Sequence, residues 1–189
     1  QTGMDNVRNI VGCPVAGLSP KEKVNAHLLI TKLNEHILGN PEFSNLPRKF
    51  NITLSGCPDD CVHAETQDLA LVPAIEEMGG RSVYGFNVLV GGKLGSGGYR
   101  IATSLNVFLC PEEVVEVCSA LILLYRDHGS REVRSKNRLA FLIEDWGEEK
   151  FRSALEERVG RPLTSAGADL RKNEKMDHIG AYRQKQALM

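Results

Sequence analysis

Apolar and polar positions along the chain change period from block to block, and each change marks an element. Val24, Leu28, Leu29, Leu33, His36 and Ile37 recur at helical spacing. Just before them, Ser19-Pro20-Lys21-Glu22 offers a cap, a proline suited to the first turn and a capping-box glutamate. A helix is therefore predicted to open there and to close at Gly39-Asn40. Lys49 to Ser55 alternates with period two and is rich in β-formers, which predicts a strand. Leu69 to Ile75 and Val83 to Val90 predict two more, antiparallel across Gly79-Gly80. The second is nearly all apolar, so both its faces are expected to be buried.

A flexible loop follows at Gly91-Gly92 and Gly95-Ser96-Gly97-Gly98, then a short strand within Ile101 to Leu109. Pro111 opens a strong helix with Val114, Val117, Cys118, Leu121, Ile122 and Tyr125 on one face, closed by His128-Gly129. A basic segment, Arg131 to Arg138, leads into Leu139 to Trp146, and a last amphipathic helix covers about Glu148 to Val159. Beyond Pro162 the periodicity is lost. The mixture predicts an α+β fold, a mixed and largely antiparallel sheet flanked by helices. Residues 1–165 form the domain and 166–189 a linker or tail.

Composition narrows the class. A chain of 189 residues with 42% apolar and 25% charged residues builds a real core, removing roughly 70% of its unfolded surface. The net charge of −1 gives no global field for nucleic acid, and 6% aromatics leave little for base stacking. No apolar run approaches the roughly 20 residues that span a bilayer. The chain opens at Gln1 and shows no signal peptide, so an internal fragment or a processed product is expected. Five cysteines, an odd and scattered set, fit a reducing compartment better than a disulfide framework.

Candidate chemistry lies in four places. Lys49 and Asn51, two apart on a strand, share a face, while Arg48 takes the other face or the strand mouth. A point charge beside a neutral amide suits a small oxyanion, although an exposed, merely solubilising face has the same pattern. Arg8 in Asn6-Val7-Arg8-Asn9 either lines a pocket or pairs with nearby Asp5. Arg131, Arg134, Lys136 and Arg138 crowd one stretch; if extended, the last three point one way and can hold carboxylates, or they form a solvated charge run. Cys57-Pro58-Asp59-Asp60-Cys61 offers two thiolates, Cys13 a third and His63 a nitrogen, whereas Cys110 and Cys118 fall at predicted core positions. The glycine-rich loops lack the G-x-G-x-x-G spacing, which excludes a dinucleotide fingerprint.

Taken in order, Asn6-Val7-Arg8-Asn9, Asn45 to Asn51, Asp68-Leu69-Ala70, Phe86 to Gly92 and Arg134-x-Lys136-x-Arg138 resemble the sirohaem-containing assimilatory nitrite and sulfite reductases. The resemblance is strongest to their ferredoxin-dependent, nitrite-reducing branch and covers about residues 3–165. It implies the six-electron reduction of nitrite to ammonia, with ferredoxin as donor and sirohaem coupled to a [4Fe-4S] cluster. It implies a location in bacterial cytoplasm or plastid stroma. It also implies a duplicated chain of which this is the first copy of the larger α+β domain, with the tail opening the next ferredoxin-like half-domain.

By that resemblance Arg8, Lys49 and Asn51 line the distal face of the sirohaem and hold nitrite. Arg48, Arg134, Lys136 and Arg138 meet its carboxylates. Asn51 favours nitrite, since sulfite-reducing relatives tend to carry a second lysine there. The family's cluster is held by Cys-x5-Cys and Cys-x3-Cys from the second copy, and Cys13 has no cysteine six residues on. Cys57 and Cys61 are then vestigial, and this chain by itself is expected to hold no metal or cofactor and to be inactive without its second half. A sulfite reductase fragment and a stand-alone Cys/His metal-binding module remain the alternatives.

Overall fold

A computed structural model describes residues 5–95, 97–172 and 175–185. Ser96 of the glycine-rich loop and Gln186 of the tail lie outside them. Five strands cross one sheet in chain order: β1 (Val7–Gly12), β2 (Phe50–Leu54), β3 (Leu69–Met78), β4 (Arg81–Val90) and β5 (Thr103–Leu109). The β1–β2 and β2–β3 pairs are parallel; β3–β4 and β4–β5 are antiparallel. A short β6 (Ala168–Asp169) pairs with Ala74 and Ile75 of β3, beyond the stretch Leu69–Leu71 that β2 occupies. This is the mixed sheet of an α+β domain.

Parallel neighbours need a crossover. Helix α1 (Ala26–Ile37) supplies it between β1 and β2. Helices α2 (Val114–His128), α3 (Leu139–Trp146) and α4 (Glu148–Val159) follow the sheet. Alternation divides the side chains of β3 and β4 between two faces. Leu69, Leu71, Phe86, Val88 and Val90 join Leu33, Val117, Leu121 and Tyr125 in the main core. Ala70, Val72 and Leu89 turn the other way and pack with Ala64. The apolar run of β4 is thus buried on both faces, as its sequence predicts.

The tail helps cover the sheet. The Asn87 amide donates to Gly167 O at 2.8 Å and accepts from Gly167 N at 2.9 Å. A side chain at Gly167 would meet Ile75 O at 2.4 Å, so only glycine lets the two backbones approach. Among the described residues no helix is long and apolar enough to cross a membrane.

Two local expectations change. Helix α1 does not start at Ser19-Pro20: Asn25 is its cap, accepting from Leu28 N at 3.4 Å. The cause is tertiary. Lys23 N and Val24 N donate to Gly56 O at 2.7 and 3.3 Å, which holds that segment out of the helix. The helix is rotated with it, so Ala26, Leu29 and Leu33 are buried and Leu28 is 57% exposed. Cys118 lies in the core as expected, but Cys110 caps the turn before α2 and is only partly buried.

Candidate functional site

β1 and β2 run in the same direction, so their first residues share one end of the sheet and the residues after them share the other. The starting end is basic. Val7 pairs with Phe50 and Asn9 with Asn51, with an irregularity between that contains Arg8. Arg8 is therefore set beside Lys49 and Asn51. Burial, Arg138, Arg8 and Arg48 together hold the Lys49 ammonium below its ordinary value. Among the described residues neither Arg8 nor Lys49 has an ion-pair partner.

Beneath them lies a fixed counter-charge. Asp68, fully buried at the start of β3, receives Arg138 Nε and Nη2 at 2.8 Å each, one on each carboxylate oxygen. Asn51 N adds a third bond to Asp68 at 2.9 Å. Burial pushes the Asp68 carboxyl up, and Arg138, the Asn51 amide and Lys49 oppose that. The bidentate fork anchors Asn51 and its strand directly over the pair. Tyr125 on α2 donates its hydroxyl to Asn137 O at 2.6 Å and so fixes the backbone next to Arg138.

The remaining predicted cations divide. Arg48 and Arg134 share Asp5, at 3.7 and 3.5 Å. Asp5, the carboxylate that Arg8 could have paired with if it did not line a pocket, serves these two instead. Arg134, Lys136 and Arg138 do not form an extended one-sided stripe, because Arg134–Lys136 is a 3-10 turn. The turn leaves Arg134 and Lys136 exposed and sends Arg138 inward, to 3% exposure. Asp68 and Tyr125 carry site roles that sequence reasoning did not assign. The available signal for Asp68 is a carboxylate directly preceding the apolar run Leu69 to Ile75.

What this end offers chemically is an excess of positive charge and two unused amide oxygens. Asn6 Oδ1 and Asn51 Oδ1 are buried and have no hydrogen-bond partner among the described residues. Buried polar groups are seldom left so. The cations Arg8 and Lys49 fit an anionic group, as a carboxylate-bearing tetrapyrrole or a small oxyanion would be, whereas the amide oxygens call for a hydrogen-bond donor.

The other end of the same strands is sulfur-rich. Cys13 follows β1, and Cys57 and Cys61 lie on the turn after β2. Burial pushes the Cys57 and Cys61 thiols up. Cys13 Sγ is 3.2 Å from His178 Nε2. His63, the nitrogen expected here, instead lies 3.4 Å from Lys175 Nζ. A cubane cluster is held by four thiolates. Three thiols and an imidazole do not match that set.

The fold is a mixed-sheet α+β domain with a cation-rich end to its parallel strands. The chain belongs to the nitrite and sulphite reductase 4Fe-4S domain family, whose family model matches residues 3–163. It is 46% identical to the ferredoxin–nitrite reductase of Leptolyngbya laminosa over 98% of this chain and 36% of that protein. It is 39% identical to the chloroplastic ferredoxin–nitrite reductase of Zea mays over 98% of this chain and 33% of that one. The solved Mycobacterium tuberculosis NirA protein superposes with a TM-score of 0.87 at 35% identity, over 96% of this chain and 32% of that chain. The chain thus spans about a third of the length of the relatives it matches.

Proposed function

We propose that this chain is part of a ferredoxin-dependent nitrite reductase and supplies the cations that hold nitrite and sirohaem. The observation that carries the reading is Lys49, depressed by burial and by three arginines, with no ion-pair partner for it or for Arg8 among the described residues. Charge of one sign gathered at a partly buried point is costly unless an anion completes it. Arg8 and Lys49 attract and orient the oxyanion. Asn51, donating through its side-chain N–H, adds a neutral hydrogen bond that leaves the local charge suited to a monoanion. Lys49, with its ammonium already loosened, hands a proton to a departing oxygen more readily than an ordinary lysine does. Arg48, Arg134 and Lys136 face carboxylates at the rim, and Arg138 acts through Asp68 to fix the strand.

When bound, sirohaem supplies the iron and the electron path for reduction of the anion to ammonia. In this reading residues 1–165 are the first copy of a repeated domain, and 166–189 lead to the next half-domain. The second half of the protein holds the [4Fe-4S] cluster, and ferredoxin delivers electrons in the cytoplasm or plastid stroma.

The test is made in the full-length enzyme containing this segment. Lys49→Met is expected to lower kcat for nitrite by about a hundredfold with sirohaem content unchanged, the scale for losing one charge-stabilising donor. Asn51→Lys is expected to shift the kcat/KM ratio from nitrite toward sulfite. Unchanged kcat in Lys49→Met would sink the proposal.

A further inference from the structure

We propose that Cys13, Cys61 and His178 form a binding site for a single Zn²⁺-type ion, distinct from the basic end of the sheet. Their donor atoms lie within 4.8 Å of one another. Cys13 Sγ and His178 Nε2 are 3.2 Å apart. A tetrahedral Zn²⁺, with bonds of about 2.3 Å to sulfur and about 2.1 Å to nitrogen, sets its ligands roughly 3.6–3.8 Å apart. The observed spacing brackets that value, so small side-chain rotations bring the three donors onto one ion.

The donor chemistry selects the metal class. Two thiols and one imidazole suit a borderline-soft cation and disfavour Mg²⁺ or Ca²⁺, which take oxygen. The three atoms converge on a point, whereas a cubane spreads four thiolates around its faces. Cys57, 2% exposed, lies on the same turn as Cys61.

The site joins parts of the chain that are far apart in sequence. His178 is 165 residues from Cys13 and arrives with a segment that already touches the body. Met176 N donates to Asp59 O at 3.3 Å, Lys185 N to Leu18 O at 2.8 Å, and Lys185 Nζ reaches the buried Glu22 carboxylate at 2.9 Å. These contacts hold the imidazole at the thiols. An ion there staples the C-terminal segment to the ends of β1 and β2. The bare alternative is a thiol–imidazole hydrogen bond between Cys13 and His178, with Cys61 a bystander.

The two are separated by titrating the reduced, chelator-treated 189-residue chain with Co²⁺ and then Zn²⁺. One equivalent of Co²⁺ is expected, with thiolate charge-transfer bands and the intense d–d bands of a tetrahedral site, displaced by Zn²⁺. His178→Ala and Cys61→Ser are each expected to weaken Zn²⁺ by about tenfold or more, with far-ultraviolet circular dichroism unchanged. Cys110→Ser, remote from the cluster, should change nothing. As a second readout, Zn²⁺ should slow tryptic cleavage after Lys175 and Arg183 in the parent chain but not in His178→Ala. A weak octahedral Co²⁺ spectrum, or Zn²⁺ affinity indifferent to both ligand variants, overturns the site. So does anaerobically isolated protein carrying iron with stoichiometric sulfide.

Discussion

One pair of parallel strands carries two opposite kinds of chemistry at its two ends. Arg8 and Cys13 are five residues apart on and just beyond β1, a separation of about 17 Å. At the basic end, the partners come from elements packed into the main core: Asp68 from the start of β3, Arg138 from the start of α3, Tyr125 from α2. At the sulfur end, two thiols come from the strand ends and the imidazole from a tail segment with no regular structure. The first site is therefore set by folding of the core. The second is completed by docking of the tail. This contrast predicts that damage at the basic end costs global stability, while damage at the sulfur end costs local order.

The sharpest way to break the comparison is Asp68→Asn. It leaves Arg138 buried at 3% exposure with its bidentate partner neutralised. Removing one member of a buried pair strands a charge and costs about 3–5 kcal/mol. Urea denaturation should show a loss of that size. A loss below about 1 kcal/mol would mean that water reaches Arg138 and that the basic end is not built into the core.

The next effect belongs to the sulfur end. Zn²⁺ at a hundredfold excess over its Kd should add about 2.7 kcal/mol to the parent chain by linkage, provided the unfolded chain binds it poorly. His178→Ala should lose most of that gain yet keep the metal-free stability of the parent. Equal destabilisation of the metal-free forms would show that the tail is part of the core, contrary to the contrast drawn above.

A smaller change tests how the basic end is held. Tyr125→Phe removes the 2.6 Å hydrogen bond to Asn137 O and leaves a buried carbonyl unsatisfied. The expected cost is about 1–2 kcal/mol in denaturation. In the full-length enzyme, activity should fall more than stability, because the backbone beside Arg138 loosens.

The sequence made the β3–β4 hairpin legible, because two largely apolar runs, Leu69–Ile75 and Val83–Val90, flank Gly79-Gly80. The face of α2 was legible for the same kind of reason: Val117, Leu121 and Tyr125 recur at helical spacing. Period two places Lys49 and Asn51 on one face only if the strand includes Lys49, and β2 begins at Phe50. What could not be read was set by partners distant in sequence. The start of α1 depends on the Gly56 carbonyl. The direction of Arg138 depends on Asp68, 70 residues away. Arg134-x-Lys136-x-Arg138 points one way only if extended, and the 3-10 turn redirects it. His178 lies in a segment without periodicity, so no local signal links it to Cys13.

The smallest predicted effect is at Lys49, and its sign matters more than its size. A lysine held below its ordinary value by burial and by Arg138, Arg8 and Arg48 is less favourable when charged in the folded chain than in the unfolded one. That penalty is fully present at neutral pH, below the folded value. It fades as pH rises through the folded value toward the unfolded one, near 10.4. Lys49→Met should accordingly leave the chain equally stable or more stable at about pH 7, by less than about 1 kcal/mol. The advantage over the parent should shrink by about pH 10. Denaturation of both proteins at the two pH values measures this directly. A residue that weakens the fold slightly while the full-length enzyme depends on it is kept for what it binds. If Lys49→Met instead destabilises the chain at neutral pH, Lys49 is a structural partner, and the basic end loses its claim to be a site.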